Sequence, residues 1–263
     1  MMNRKLNKDF IAKFLKGGEY YKLMQEVRAD KELSVEVRTR SEIKIYYCKG
    51  LILTLTEKGP KILDGGYYRG QDKPIFNSLS PKTYLALAKK LVRQHSNKVE
   101  FTIQQNIATS NQSKEDKYFV VDMEWQFPQS NIPKERRLPK SRVDIVAIER
   151  STNNIILFEL KQGEGALDGD SGVEDHLKKS NELISNDDFR NHLQEDMRNI
   201  IEGKKALGLI DYDLPETFGD IKQMFIFAYD TDMAYKNYKQ NYEPILEAEG
   251  VKTLYIDTRY RLL

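Results

Sequence analysis

The chain has 263 residues, enough for one large domain or two small ones with a substantial core. Its 42 basic and 40 acidic residues leave a formal charge of +2, which excludes a global polyanion-binding surface and confines any nucleic-acid contact to a local patch. Cys48 is the only cysteine, so a disulfide or a cysteine-built zinc site within one chain is excluded; no stretch has the length of a membrane span or the apolar core of a signal peptide, and the expectation is a cytoplasmic protein with no membrane partner.

Leu6, Phe10, Ile11, Phe14 and Leu15 keep helical spacing up to Gly17-Gly18, and Tyr20, Tyr21, Leu23, Met24 and Val27 predict a second helix. The period then becomes two. Leu33, Val35 and Val37 alternate with polar residues, as do Ile43, Ile45 and Tyr47, then Leu51, Leu53 and Leu55, with Lys49-Gly50 and Lys58-Gly59-Pro60 as punctuation. Cys48 is read as a packed strand thiol. Residues 1–75 are expected to form a small N-terminal α+β module, two helices on a β-meander, and residues 76–263 a second domain. The boundary is placed in the Gly-rich stretch after Gly65, and nothing in residues 1–75 carries a chemical signature.

Ser80-Pro81 joins an N-cap to a proline at the first helical position, and Tyr84, Leu85, Leu87, Ala88, Leu91 and Val92 give that helix its apolar face. Residues 109–117 read as loop. From Phe119 a strict alternation puts Val121, Met123, Trp125 and Phe127 on one face of a strand and Asp122 and Glu124 on the other. Lys134, Arg136, Arg137, Lys140 and Arg142 then crowd into nine positions, with Glu135 the one acid among them. Phosphate contacts need such groups, and a solvated basic loop is the competing reading.

Val143–Ile148 and Ile155–Leu160 are apolar runs separated by the turn-forming Ser151-Thr152-Asn153-Asn154. Asp144 near the start of the first run, and Glu159 and Lys161 at the end of the second, are charges inside otherwise apolar strands, where an unpaired buried charge is expensive. Glu159 and Lys161 are two apart and share a face. A two-residue loop at Ser151-Thr152 puts Asp144 directly opposite Glu159, so two carboxylates and an ammonium converge, whereas a half-step slip with an odd-length loop would put Asp144 on the other face. Hard cations such as Mg²⁺ take carboxylate oxygens and keep several waters. A lysine beside them can orient a water and stabilise charge developing at phosphorus.

Asp144 on an apolar strand, followed fifteen residues later by Glu159-Leu160-Lys161 closing the next strand, resembles the core of the PD-(D/E)XK nuclease superfamily. Val143 stands where the family name has proline. The resemblance implies that Asp144 and Glu159 hold Mg²⁺ or Mn²⁺, that the backbone carbonyl of Leu160 adds a metal contact, and that Lys161 serves the attacking water. It also implies a nucleic-acid substrate, DNA more than RNA, contacted by Lys134, Arg136, Arg137, Lys140 and Arg142. Many members carry a glutamate on the helix before the strands; the helix after Pro81 has no acid, which leaves Asp122, Glu124 and Glu100 as candidates for a third ligand. The alternative is a non-catalytic nucleic-acid-binding or assembly module on the same fold, and the sequence leaves a homodimer open.

Gln162-Gly163-Glu164-Gly165 gives a loop whose glycines would let a phosphate approach the backbone. Val173–Ile184 reads as a helix on which His176 or Lys178 could face the site or solvent, and Phe189, Leu193, Met197, Ile200 and Ile201 mark a second helix. Met224–Tyr229 is continuously apolar, a strand covered on both faces; Met233–Ala248 reads as a helix closed by Gly250, and Val251–Ile256 as a last strand. The expected fold class is therefore α/β: an αβββαβ restriction-endonuclease-like core with a mixed central sheet, opened by the helix after Pro81, behind the small N-terminal α+β module.

Overall fold

The computed structural model describes residues 3–48, 50–62, 79–95, 99–129, 134–139, 142–256 and 260–262. The chain is α/β and divides into two compact units, Ser110–Met197 with Pro215–Leu263, and Met2–Thr109 with Arg198–Leu214. The boundary expected near residue 75 lies outside the described residues.

In the second of these units α1 (Lys8–Ala12) starts where Asn7 Oδ1 accepts the Asp9 N–H at 2.9 Å, and α2 (Tyr21–Ala29) buries Leu23, Met24 and Val27. Four antiparallel strands follow in the order β1 (Leu33–Arg38), β2 (Glu42–Tyr47), β3 (Gly50–Thr56) and β4 (Gly59–Ile62). Of Lys58-Gly59-Pro60, read as punctuation, Lys58 lies in the turn after β3, and Gly59-Pro60 open β4. Gly59 turns the chain at φ +120°, and Pro60 is tolerated because β4 is an edge strand among the described residues and can spare a donor. Cys48 sits in the turn after β2 at φ +44°, not within a strand.

Helix α3 (Pro81–His95) belongs to this unit. Tyr84 donates its hydroxyl to the Ile52 carbonyl at 2.6 Å, and a Cβ on Gly50 would stand 2.6 Å from both methyls of Val92, so only glycine permits this approach. Residues 99–110 form a further helix, α4 (Val99–Ser110), for which the sequence reading had no element. Gln104 and Gln105 are buried in it, and Gln105 Nε2 donates to the Glu32 carbonyl at 2.8 Å. Polar residues on the buried side erase the apolar stripe by which a helix is recognised.

The other unit holds a mixed sheet of five described strands in sequential order: β5 (Tyr118–Gln126), β6 (Arg142–Glu149), β7 (Asn154–Gln162), β8 (Ile221–Ala228) and β9 (Lys252–Tyr255). The first three are antiparallel neighbours; β7, β8 and β9 are parallel. The parallel arrangement needs long crossovers. α5 (Val173–Ile184) and the start of α6 (Asp187–Ala206) lie between β7 and β8, and α7 (Asp232–Asn241) and α8 (Glu243–Ala248) between β8 and β9. α6 passes out of this unit after Met197.

One face of β8 carries Phe225 and Phe227 into a core with Val173 and Leu177 of α5, Ala234 and Tyr238 of α7, and Leu246 of α8. Phe227 stacks on Tyr238 at 4.2 Å between ring centres. On the other side of the sheet Trp125 meets Phe189 edge-on and donates its indole N–H to Asp196 of α6 at 2.9 Å. The single helix expected over 233–248 is broken at Tyr242, because Pro244 in the first turn of α8 has no N–H and its ring clashes with the carbonyl four residues back. Among the described residues no helix is long and apolar enough to cross a membrane.

Candidate functional site

The strands β6 and β7 pair as Glu149 with Asn154, Ile148 with Ile155, Ala147 with Ile156, Val146 with Leu157 and Ile145 with Phe158. The turn spans four residues rather than two, with Asn153 at φ +56° and its N–H donated to the Glu149 carbonyl at 2.8 Å, yet the register is the expected one. Carried one residue further, it sets Asp144 across from Glu159. The main-chain ladder stops just short of that pair, and the next donor, the Leu160 N–H, goes to Asp144 Oδ2 at 2.9 Å. Asp144 is half-buried and holds the strand ends where they separate.

Glu159 and Lys161 share the face of β7 that looks toward α5. Their partners in register on β8 are Phe225 and Phe227, whose rings are wholly buried, which explains why Glu159 is 7% and Lys161 3% exposed. Lys161 Nζ donates to Glu159 Oε1 at 3.0 Å and to the Ser171 carbonyl at 2.7 Å. From α5, His176 Nδ1 lies 2.6 Å from the same Oε1, without the orientation of a hydrogen bond. Oε2 of Glu159 accepts no hydrogen bond among the described residues. Of the two helix residues considered for the site, His176 faces it and Lys178 is exposed to solvent.

On the neighbouring strand, the pairing of β5 with β6 runs Asp122–Val146, Met123–Ile145, Trp125–Val143, with a bulge between Val120 and Asp122. This register sets Glu124 beside Asp144. Glu124 has φ +54°, a region that disfavours side chains by roughly 1–2 kcal/mol, so the strand is held in an unusual conformation beside the carboxylates. Its Oε1 lies 3.6 Å from Nη1 of Arg142, two residues before Asp144 on β6 and thus on the same face. Asp122 is completely buried rather than on a wet strand face. Glu100 is in the first turn of α4, in the other unit. Of the three candidates for a third acid, Glu124 is the one that the strand register brings level with Asp144.

The basic segment is only partly described. Lys134 and Arg137 are exposed around a short 3₁₀ turn, Arg142 is exposed but paired with Glu124, and Lys140 and the side chain of Arg136 lie outside the described residues. Gly163, expected to admit a phosphate, is instead buried at φ +64°, donating its N–H to the Ala228 carbonyl at 3.0 Å. A Cβ there would stand 3.0 Å from Asp230 Oδ2. Gly163→Ala is expected to lower stability by about 1 kcal/mol, a drop of roughly 2–4 °C in melting temperature for a chain of this size, measurable by thermal denaturation. The N-terminus of α5 presents Glu174 and Asp175 in its first turn, which repel a phosphate there.

Among the described residues no three His, Cys, Asp or Glu side chains converge as a ready cage for a metal ion. Comparison with protein-family models, with curated proteins and with solved structures gave no match.

Proposed function

We propose that this chain is a metal-dependent nuclease of the PD-(D/E)XK kind, hydrolysing phosphodiester bonds in DNA rather than RNA. What supports the reading is the contact of Lys161 with Glu159 on one face of β7, together with a hairpin register that, extended one residue past Ile145–Phe158, sets Asp144 across from Glu159. The choice of DNA rests on the resemblance of the Asp144…Glu159-Leu160-Lys161 pattern alone.

The donors suit a hard divalent cation. Asp144 and Glu159 are carboxylates on adjacent strands, Glu159 keeps one oxygen without a hydrogen bond, and Mg²⁺ commonly takes only one or two carboxylates and retains its waters. Asp144, Glu159 and the Leu160 carbonyl would hold it. When bound, such an ion supplies Lewis-acid polarisation of the phosphate and makes water at the site more acidic. Lys161 orients the attacking water and stabilises the negative charge developing at phosphorus; its near-complete burial strengthens that interaction, because little solvent screens it. The Ser171 carbonyl fixes the ammonium and so sets its aim. In this reading the leading helix of the nuclease core is not α3, which groups with the four-stranded sheet.

A second reading has a specific observation in its favour. Lys161 links Glu159 to the Ser171 carbonyl just ahead of α5, as a structural ion pair tying a strand to the following segment would. The two readings part on chemistry. The purified chain should degrade at least one of plasmid, linear, single-stranded or branched DNA in Mn²⁺ or Mg²⁺ and lose that activity in excess chelator. No cleavage of any of these or of RNA in either ion would favour the structural pair.

The exposed Lys134 and Arg137 are expected to add affinity without sequence choice, since phosphate contacts position rather than specify. Replacing both with Ala should weaken binding to every DNA sequence alike and reduce the slope of log affinity against log salt by about one unit per lost contact. An unchanged slope places the nucleic acid elsewhere.

A further inference from the structure

We propose that the pocket at the amino ends of β8 and β9 binds a nucleoside monophosphate. It stands apart from the Asp144, Glu159 and Lys161 cluster. Ile156, which lines the pocket, precedes Lys161 on β7 by roughly 16 Å at the rise of an extended strand.

The pocket exists because the two strands start out of step. β8 begins at Ile221, but β9 joins it only from Met224, which pairs with Lys252. Ile221, Lys222 and Gln223 therefore have β7 on one side and no strand on the other among the described residues. The chain that leads into β9 turns at Gly250, φ +70°, and the Val251 N–H goes to the Leu246 carbonyl at 2.8 Å instead of to β8. The pocket beside this edge measures about 470 Å³, within the ~300–1,000 Å³ of small-molecule sites. Successive side chains of β8 reach it from opposite faces of the sheet, so an occupant meets Gln223 at one end and Lys222 at the other.

The two ends call for different groups. Gln223 is 7% exposed, and its Nε2 donates to the His176 carbonyl at 3.4 Å. That bond fixes which way the amide faces and leaves Oε1 a buried acceptor with no hydrogen-bond partner. Buried polar atoms are nearly always satisfied, so this one calls for an N–H or O–H donor. At the other end Lys117, Lys222 and Lys252 line the pocket and are exposed. Lys222 and Lys252 make no ion pair among the described residues. Two carboxylates share the rim, and one of them, Glu149, is held by Thr152 Oγ1 at 2.6 Å and Asn154 Nδ2 at 3.4 Å. Free ammonium groups suit a phosphate. Between the ends Ile156, Met224, Val251 and Leu254 give apolar walls. A base with an N–H edge, carrying a phosphate at its far end, meets all three demands. A bare phosphate or an aliphatic carboxylate meets only part of them.

The test uses the full chain and calorimetric titration at low salt, with AMP as the probe beside adenosine, inorganic phosphate and decanoate. Adenosine lacks the phosphate, inorganic phosphate lacks the base, and decanoate is an apolar anion with no N–H. AMP is expected to bind saturably, and the other three at least roughly tenfold more weakly. Joint replacement Lys222→Ala and Lys252→Ala, at exposed positions, should cut AMP affinity by at least roughly tenfold with an unchanged melting temperature. Gln223→Leu should weaken AMP by a similar factor and leave decanoate binding as it was. AMP binding should persist in Asp144→Asn and in excess chelator, which separates it from the proposed nuclease site, so that either reading can fail without the other. The proposal is overturned if AMP does not bind, if its affinity is unaltered in the lysine variant or in Gln223→Leu, if decanoate binds as tightly, or if Asp144→Asn abolishes AMP binding.

Discussion

Lys161→Met should cut phosphodiester cleavage by roughly 10²–10³-fold while leaving Mn²⁺ binding intact or tighter, because the substitution removes a group aimed at transition-state charge and leaves both carboxylates in place. Substrate affinity should change little, since an interaction made mainly in the transition state lowers the rate more than the binding. The packing makes a second consequence unavoidable. Lys161 is 3% exposed and joins Glu159 to the Ser171 carbonyl, so its loss strands a buried carboxylate and loosens the segment ahead of α5. In metal-free buffer the variant should be less stable, by as much as roughly 3–5 kcal/mol, under either reading of the pair. Thermal unfolding with and without Mn²⁺ separates them. In the catalytic reading Mn²⁺ raises the melting temperature of the variant, because an ion bound to the native state stabilises it by mass action. In the structural reading Mn²⁺ does nothing, and there is no cleavage to lose. A Lys161→Met protein that cleaves at the wild-type rate sinks the proposed role.

Asp144→Asn and Glu159→Gln should behave differently from Lys161→Met and like each other, with metal affinity and cleavage falling together. Each removes a ligand's charge while keeping its shape, and the loss of affinity should exceed the roughly 10- to 100-fold typical of an outer-shell partner. The structure also separates the two in stability. Asp144 Oδ2 accepts the Leu160 N–H, and the Asn carbonyl oxygen can accept it equally, so Asp144→Asn should alter folding stability by less than about 1 kcal/mol. Glu159→Gln instead leaves the buried ammonium of Lys161 without its counter-charge and should be clearly less stable than Asp144→Asn. Calorimetric Mn²⁺ titration beside a cleavage time course and a denaturation curve reads all three quantities. An Asp144→Asn chain that binds Mn²⁺ as the wild type does would remove Asp144 from the metal site.

The chain's own letters determined a good deal. Both strands of the hairpin are apolar and buried on both faces, so their pattern marked the strands but left their register open by a half step, and the turn and the ladder from Glu149–Asn154 to Ile145–Phe158 decided it. Hydrophobic periodicity also found β5, the continuously apolar β8, and α5 and α6. Pro244 was in plain view as the break between α7 and α8, and the apolar spacing across it masked the signal. What the letters could not decide was which surfaces meet. The helix after Pro81 has the amphipathic face of any core helix, and only Tyr84 on Ile52 and the fit of Val92 over Gly50 assign it to the four-stranded sheet. α4 was hidden because its buried side carries glutamines whose hydrogen bonds are made to distant backbone. The positive φ of Glu124 and the contact of His176 with Glu159 have no periodic signature either. Periodicity records how a segment divides between core and solvent; the partner across the core is chosen by packing and by hydrogen bonds between residues far apart in sequence, and only the folded chain contains those.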